Sequence, residues 1–224
     1  MKLYLAVIII LEVQLLISNG MEILLVRHGE TEGNVAQRHQ HDATPLTDRG
    51  REQIADTTKQ LLEMKPTHLL SSPVLRALES SRMVGLALDM IPETNPLFVE
   101  LGRPQFLHGN FHKSIGSLWF YGLWYFGWAN NDKHGGESYK ALRERVAHAQ
   151  EFLLNYPPDA RVVVVSHSVF INFFVAHLCN KKPLNPLQAA VRFLKVLSIK
   201  NGSITKVVYD PNESRKNCQW RVED

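Results

Sequence analysis

The stretch that most constrains the fold is MEILLVRHGETEGN, residues 21–34. It opens with a short apolar run at residues 23–26, bounded by polar residues, which is typical of a buried strand in a parallel sheet. Arg27 and His28 follow this run directly. Ligands of open α/β sheets bind outside the carboxyl ends of the strands. The stretch therefore predicts an α/β fold with a reactive edge at His28.

A second buried strand is predicted at residues 161–166, RVVVVS, and it delivers His167 at its own carboxyl end. Residues 67–72 read as another strand, followed by a helix that places Arg76 about one turn from its start. A side chain at that point faces back toward the strand ends. The sequence therefore places His167 and Arg76 near His28.

These segments resemble the motifs of a known family. RHGET followed by Asn34 is similar to the signature of the histidine phosphatase superfamily, also called the phosphoglycerate mutase-like family. The segments PLTDRGREQI, SSPVLRALESS, GGES and VSHS resemble later parts of the family pattern, in the expected order. The likeness extends from residue 21 to about residue 209 and favours the phosphatase branch.

The resemblance implies a role for each matching side chain. A neutral imidazole attacks the phosphoryl group, which splits hydrolysis into transfer to histidine and transfer to water. Arginine forks and a second histidine stabilise the charge on the phosphoryl oxygens, and a carboxyl group protonates the leaving alkoxide. The implied catalytic residues are His28, Glu100 and His167, and the implied phosphate-binding residues are Arg27, Asn34, Arg76 and His167.

Two segments depart from the family pattern. Many members show E-x-x-x-G-x-x-E-G where this chain has ELGRPQFLHG, so Glu100 is the best candidate for the acid, with Glu137 and Asp42 as distant rivals. Ser168 stands where the last motif commonly has glycine, which affects how closely backbone and phosphate approach. Gly29, in contrast, keeps a Cβ out of the way of a close backbone approach.

Helices between strands predict a three-layer α/β/α sandwich, in which both faces of a mostly parallel sheet are covered. An antiparallel edge is expected from a C-terminal hairpin of residues 193–199 and 203–209, joined at Asn201 and Gly202. Residues 91–99 are expected to end in a further short strand, LFVE.

Residues 102–136 form an aromatic-rich insertion between these motifs. Seven aromatic residues occur in SLWFYGLWYFGW, residues 117–128, at spacings that give a helix two apolar faces. We favour a cap subdomain that fills its own small core, because such stripes are more often core. The alternatives are a wall of the substrate pocket and a contact within a homodimer.

The domain is predicted to span residues 21–210. Residues 1–20 form a hydrophobic extension that resembles a secretory signal but is too short and polar for a confident membrane span. We favour a dispensable segment and a cytoplasmic protein over export, with membrane contact only if the extension is retained. Residues 211–224 read as a loose polar tail. Cys179 and Cys218 form no disulfide framework, and their scarcity fits a reducing compartment.

Composition limits the kinds of binding partner that we expect. The net charge is +3 and no block of lysine or arginine occurs, so a nucleic-acid partner has little support. His39 and His41 are predicted to lie in a solvated loop, and His108 and His112 lack a third metal ligand. We expect neither a metal nor a cofactor. The resemblance then implies a phosphoric monoester hydrolase for a small phosphorylated substrate; the alternatives are a phosphoglycerate mutase and a non-catalytic phospho-ligand binding protein.

Overall fold

A six-stranded sheet forms the centre of the molecule. The computed structural model describes residues 20–112, 114–126, 136–180, 182–196, 198–213 and 218–223. The strands are β1 Met21–Arg27, β2 His68–Ser71, β3 Glu93–Thr94, β4 Arg161–Ser166, β5 Ile204–Tyr209 and β6 Trp220–Glu223. Their order across the sheet is β3-β2-β4-β1-β5-β6. β1 to β4 run parallel, whereas β5 and β6 are antiparallel to their neighbours. The predicted sheet type is confirmed.

Helices connect the strands and cover the sheet. The α-helices of the described residues are α1 Glu32–Val35, α2 Asp48–Met64, α3 Leu75–Leu88, α4 Ile115–Tyr125, α5 Tyr139–Leu153, α6 Ser168–Ala176 and α7 Pro186–Val196. Short 3₁₀ turns lie at Pro96–Phe98 and Gln105–Leu107. Thr47 Oγ1 accepts a hydrogen bond from Gly50 N at 3.0 Å and caps α2.

Alternate side chains of β1 explain the three layers. Ile23 and Leu25 pack in the core that contains α5 and α6, whereas Leu24 and Val26 pack in the core that contains α2 and α3. All four side chains are fully buried. Burying one such side chain stabilises the fold by about 1.5–3 kcal/mol. Because both faces of the strand are apolar, both must be covered by helices, as predicted.

The antiparallel edge is built differently from the prediction. The strand predicted at residues 193–199 is wrong, because residues 193–196 end α7 and residues 198–199 lie in the turn that follows. The pattern L-x-x-A-V-x-x-L has helical spacing, and Pro186 suits the first turn of a helix. Asn201 and Gly202 do form a turn, with φ of 73° at Gly202, and β5 then pairs with β1 and β6.

Part of the predicted loose tail is a strand. β6 forms the edge of the sheet, and the Trp220 ring packs against Tyr209 with their centroids 4.8 Å apart. Just before β6, Cys218 forms a disulfide with Cys179, and their Cα atoms are 5.4 Å apart. The sequence analysis excluded only a framework of several disulfides, and a single disulfide is consistent with it. The two cysteines are separated by 39 residues, so only the fold brings them together.

The strand predicted at LFVE is also displaced. β3 is shorter and earlier, and Pro96–Phe98 forms a 3₁₀ turn instead. Asn95 Oδ1 accepts a hydrogen bond from Leu97 N at 3.0 Å and caps this turn. Proline lacks the N–H group that a strand ladder needs, which favours the turn. The turn leads the chain to Glu100.

The aromatic insertion packs on the main domain, so a separate core is the wrong interpretation. α4 buries Phe120 and Trp124 in the same core as Tyr139 of α5. The Trp124 indole N–H donates to the Glu137 carbonyl oxygen at 2.8 Å. Residues 127–135, which include the end of the predicted aromatic stripe, lie outside the described residues.

The N-terminal extension stays a prediction, because residues 1–19 lie outside the described part of the chain. Among the residues that are described, no helix has the length and apolar character needed to cross a membrane.

Candidate active site

Two histidines meet at the carboxyl ends of neighbouring strands. β1 and β4 pair with Arg27 opposite Ser166, so His28 and His167 begin the two segments that leave the sheet together. The His28 backbone N–H donates to the Ser166 carbonyl oxygen at 3.0 Å. The imidazole centroids are 5.1 Å apart. The structure therefore brings together the two histidines that the sequence places at one edge.

Hydrogen bonds assign the proton on the His28 ring. Nδ1 lies 2.7 Å from the Gly29 carbonyl oxygen, which only accepts, so Nδ1 carries the proton. Nε2 therefore holds the lone pair, and it accepts a hydrogen bond from Arg76 Nε at 3.2 Å. The arginine lies where a phosphoryl group attached to Nε2 would need positive charge.

Both imidazoles are held neutral. Burial, and then Arg76 and Arg27, hold the pKa of His28 well below 6.5. Burial and Arg76 act in the same direction on the pKa of His167. A neutral imidazole is the form that attacks phosphorus, and His28 is in this form at neutral pH.

Two arginines supply positive charge beside His28: Arg76 is buried and Arg27 is half-buried. Arg27 Nη1 donates to the Ile199 carbonyl oxygen, and Arg76 Nη1 donates to the His41 carbonyl oxygen at 3.2 Å. Within the described residues neither guanidinium forms a salt bridge, and Arg27 Nε is buried without a partner. Desolvated guanidinium groups without a salt-bridge partner create a strong site for an anion.

His167 is fixed by a residue that the sequence analysis did not single out. His167 Nε2 lies 2.9 Å from Ser72 Oγ, and both residues are fully buried. The other ring nitrogen, Nδ1, is buried and has no hydrogen-bond partner among the described residues. The only sequence signal for Ser72 is its place in the serine pair before Arg76.

Glu100 lines the same cavity as His28, and its carboxylate contacts the first turn of α6. Its carboxylate oxygens accept hydrogen bonds from Leu101 N at 2.9 Å and from Phe170 N at 3.3 Å. The rival Glu137 instead forms a salt bridge with Arg145 at 2.7 Å, outside the cavity lining. Of these two carboxyl groups, Glu100 is therefore the one that shares the cavity with His28.

Asn34 also lines the cavity. Its Oδ1 accepts hydrogen bonds from Thr31 N at 3.2 Å and from Asn201 Nδ2 at 3.0 Å. These contacts orient the amide, and its nitrogen remains the donor that the sequence analysis expected.

The close approach expected at Gly29 is made to α2. A Cβ at Gly29 would lie 2.3 Å from the Gly50 carbonyl oxygen, and one at Gly50 would lie 2.2 Å from the Glu30 carbonyl oxygen. Two glycines thus let the loop after β1 pack directly on the first turn of α2. This contact holds in place the Gly29 carbonyl oxygen, which accepts the hydrogen bond from His28 Nδ1.

The insertion contributes residues to the cavity that belong to no motif in the sequence. Arg103 Nε donates to the Tyr121 hydroxyl at 3.3 Å, and both residues line the cavity. His39 is 3 % exposed and lies 3.0 Å from Ser117 Oγ, so its placement in a solvated loop is wrong. Its neighbour His41, which lies 3.1 Å from His108, is exposed as expected. Among the described residues no group of three or more metal-ligating side chains is found.

One cavity of about 1040 Å³ joins these groups. Arg27, His28 and Arg76 form its phosphate pocket, named here for the charge it offers. Its apolar wall consists of Val169 of α6, Ala189 and Val196 of α7, and Phe126, which follows α4 directly. The insertion therefore does shape the pocket, which was the less favoured interpretation of the aromatic segment.

Two neutral histidines and two arginines thus lie together at one edge of a parallel sheet, an arrangement that suits an anion. The sequence profile of the histidine phosphatase superfamily (branch 1) matches residues 23–219. The chain belongs to this superfamily.

Relatives within the superfamily differ in their activities. The adenosylcobalamin/alpha-ribazole phosphatase of Salmonella typhimurium is 31% identical over 164 residues, which cover 70% of this chain and 79% of that protein. A protein of Shigella boydii named probable phosphoglycerate mutase GpmB is 28% identical over 196 residues, with 84% of this chain and 85% of that protein covered.

Solved structures share the fold. The phosphoserine phosphatase of Entamoeba histolytica has a TM-score of 0.72 at 18% identity, covering 91% of this chain and 95% of that chain. A mycobacterial glucosyl-3-phosphoglycerate phosphatase has a TM-score of 0.66 at 22% identity, covering 91% and 97%. These structures agree with the three-layer arrangement described above.

Proposed function

We propose that this protein is a phosphoric monoester hydrolase that acts through a phosphohistidine at His28 and needs no metal. The observation that carries the proposal is the hydrogen bond from His28 Nδ1 to the Gly29 carbonyl oxygen. This bond leaves the Nε2 lone pair on the side of Arg76, in the cavity. A nucleophile and the charge that its phosphoryl adduct requires thus lie side by side.

The reaction has two steps in this proposal. His28 Nε2 attacks phosphorus, the bond to the ester oxygen breaks, and Glu100 gives its proton to the leaving alkoxide. A water molecule then attacks the phosphohistidine, Glu100 takes a proton back, and inorganic phosphate leaves. Arg27, Arg76 and His167 stabilise the charge on the phosphoryl oxygens in both steps.

Positioning and electrostatics are sufficient for this chemistry without a divalent ion, because the arginines provide the charge. We therefore expect hydrolysis of an aryl phosphate to continue in excess chelator. A complete loss of activity that Mg²⁺ or another divalent ion restores would contradict the mechanism.

A phosphoglycerate mutase is the second candidate, and the resemblance to GpmB supports it. A mutase returns the phosphoryl group to its substrate and needs a bisphosphate primer. This chain lacks a recognisable match to the longer substrate-binding insertions of the mutases, so hydrolysis is favoured. Release of inorganic phosphate without any primer, measured against interconversion of phosphoglycerates, separates the two. Absence of both activities would favour a non-catalytic binding protein.

Glu100→Gln tests the identity of the acid. We expect a loss of roughly 10²–10⁴ in turnover of alkyl phosphates, whose poor leaving groups need a proton. The loss on aryl phosphates should shrink to about tenfold or less, because those leaving groups need little protonation. Glu144→Gln, an exposed position on α5, is the matched control. Equal losses on both substrate types would assign the acid to another residue.

Partners and location belong to the same proposal. We expect a small phosphorylated substrate and no nucleic acid, and a homodimer stays untested. The sequence favours a cytoplasmic location, whereas the Cys179–Cys218 disulfide is of a kind typical of oxidising compartments. Mass spectrometry of thiol-blocked, non-reduced protein from its own cells would decide between the two.

A further inference from the structure

We propose that the natural substrate is the phosphate monoester of a bulky apolar alcohol. This inference rests on the proposed hydrolysis and names its substrate class. It is drawn from the size of the cavity and the position of the apolar wall.

The cavity is far larger than the group that reacts. Its volume of about 1040 Å³ lies at the upper end of ligand pockets, which measure about 300–1,000 Å³. A phosphoryl group fills only a small part of this space beside His28. The rest must be filled by the alcohol part of the ester, or by water that gains little from an apolar surface.

The apolar wall lies on the side of the leaving group. The carboxylate of Glu100 accepts hydrogen bonds from the backbone of Val169, at 3.5 Å, and of Phe170, at 3.3 Å. The proposed acid therefore lies beside a residue of the apolar wall. An alkoxide that takes its proton from Glu100 departs next to Val169, and its carbon skeleton meets Ala189 and Val196 of α7.

A series of primary n-alkyl phosphates from ethyl to octyl tests the inference, used below the concentrations at which they form micelles. The leaving oxygen is chemically alike across the series, so a trend in kcat/KM reports binding of the alkyl group. We expect kcat/KM to rise roughly two- to fourfold for each added methylene group, as burial of apolar surface predicts. Phosphoserine and 3-phosphoglycerate should be poorer than octyl phosphate.

Paired variants on α7 test whether the dependence of kcat/KM on the length of the alkyl group comes from the apolar wall. Val196→Asp puts a charge into the apolar wall and should flatten the trend with chain length. Val191→Asp is the control, because Val191 lies on α7 but is 45 % exposed and does not line this cavity. Phe126→Ser, directly after α4, and Trp119→Ser, on α4, form a second pair. Trp119 is the control, since it is 70 % exposed and also lies outside the lining.

The outcomes separate this inference from the proposed function. Hydrolysis without a trend along the series, or with a preference for the anionic substrates, would overturn the substrate class and leave the phosphatase standing. A trend equally flattened by Val191→Asp would also overturn it.

A second measurement does not depend on turnover. Binding of methyl, butyl and octyl phosphonates, which cannot be hydrolysed, is followed by calorimetry on the wild-type chain. Tighter binding with chain length in a protein that hydrolyses no ester would support the ligand class while the proposed function fails. Equal binding of all three phosphonates would refute the class directly.

Discussion

The phosphate pocket and the apolar wall occupy one cavity but are built in different ways. The pocket comes from the carboxyl end of β1 and the start of α3, and its side chains are held by backbone groups. The wall comes from α6, α7 and the residue that follows α4, and this residue, Phe126, is 55 % exposed. A rigid sheet edge thus holds the reacting atoms, whereas helices between the motifs meet the rest of the substrate.

This contrast separates chemistry from selectivity. Catalysis by positioned charges requires groups that do not reorganise during the reaction, which strand ends in a packed core provide. Recognition of an apolar group requires only a surface of suitable size and polarity. Changes in the pocket should therefore affect every substrate alike, and changes in the wall should affect substrates according to their size.

His28→Ala should have the largest effect, because it removes the proposed nucleophile. We expect turnover of all phosphate esters to fall by roughly 10⁴- to 10⁶-fold and the acid-labile, base-stable phosphoenzyme to disappear. Rapid quenching with labelled substrate, followed by peptide mapping, measures both. His167→Ala should reduce turnover heavily but still allow some labelling of His28.

The exposed His148 on α5 provides a control, and His148→Ala should leave labelling unchanged. Label found on His167, or none in a variant slowed at the second step, would overturn the assignment of the nucleophile.

Arg76→Ala should have the next largest effect. Its guanidinium contacts His28 Nε2 and is proposed to bind the transferred phosphoryl group. Loss of one preorganised donor of this kind costs roughly 10²–10³ in rate, and the loss should be similar for short and long alkyl phosphates. Steady-state kinetics on both substrates measure it.

Arg82→Ala, an exposed position on the same helix, controls for effects on α3 itself. Arg76→Lys should recover only part of the rate, since an ammonium lacks the planar fork. A loss confined to long-chain substrates would assign Arg76 to recognition rather than to the chemistry.

The same contrast explains which parts of the molecule could be predicted. His28, His167 and Arg76 follow apolar strands within a few residues, so local pattern and sheet geometry together place them. Arg103 and Tyr121 both belong to the insertion, and they meet only because the insertion folds back on itself. The path of an insertion is set by tertiary packing, for which a single sequence gives no local signal.

The wrong and the missing predictions have a similar cause. Residues 193–199 were read as a strand, although a short apolar run does not distinguish a strand from a helix. The Cys179–Cys218 disulfide depends on α6 and β6 becoming neighbours, which spacing in sequence does not show. His39 was placed in solvent because its neighbours are polar, but Ser117 of the insertion covers it.

The smallest effect predicted here concerns this last histidine and the response to acid. Burial, and then Arg103 and His112, lower the pKa of His39 from 6.5 to about 3. Between pH 6.5 and pH 3 the unfolded chain therefore binds a proton at this residue that the folded chain does not bind. The free energy of unfolding is unaffected by this residue above pH 6.5, and it falls by up to about 1.4 kcal/mol for each pH unit below it.

His39→Gln keeps a hydrogen-bonding group for Ser117 but cannot titrate, so it should remove about one proton from the acid dependence of unfolding. Urea unfolding at pH 7.5, 6.5, 5.5 and 4.5 measures the slope in both proteins. Burial of His28 and His167 also opposes their protonation, so the wild-type slope contains their contribution. Only the difference in slope between the wild-type chain and His39→Gln reports His39. An unchanged slope in His39→Gln would mean that the insertion opens to water before the sheet edge does. The two regions would then differ in stability as well as in construction.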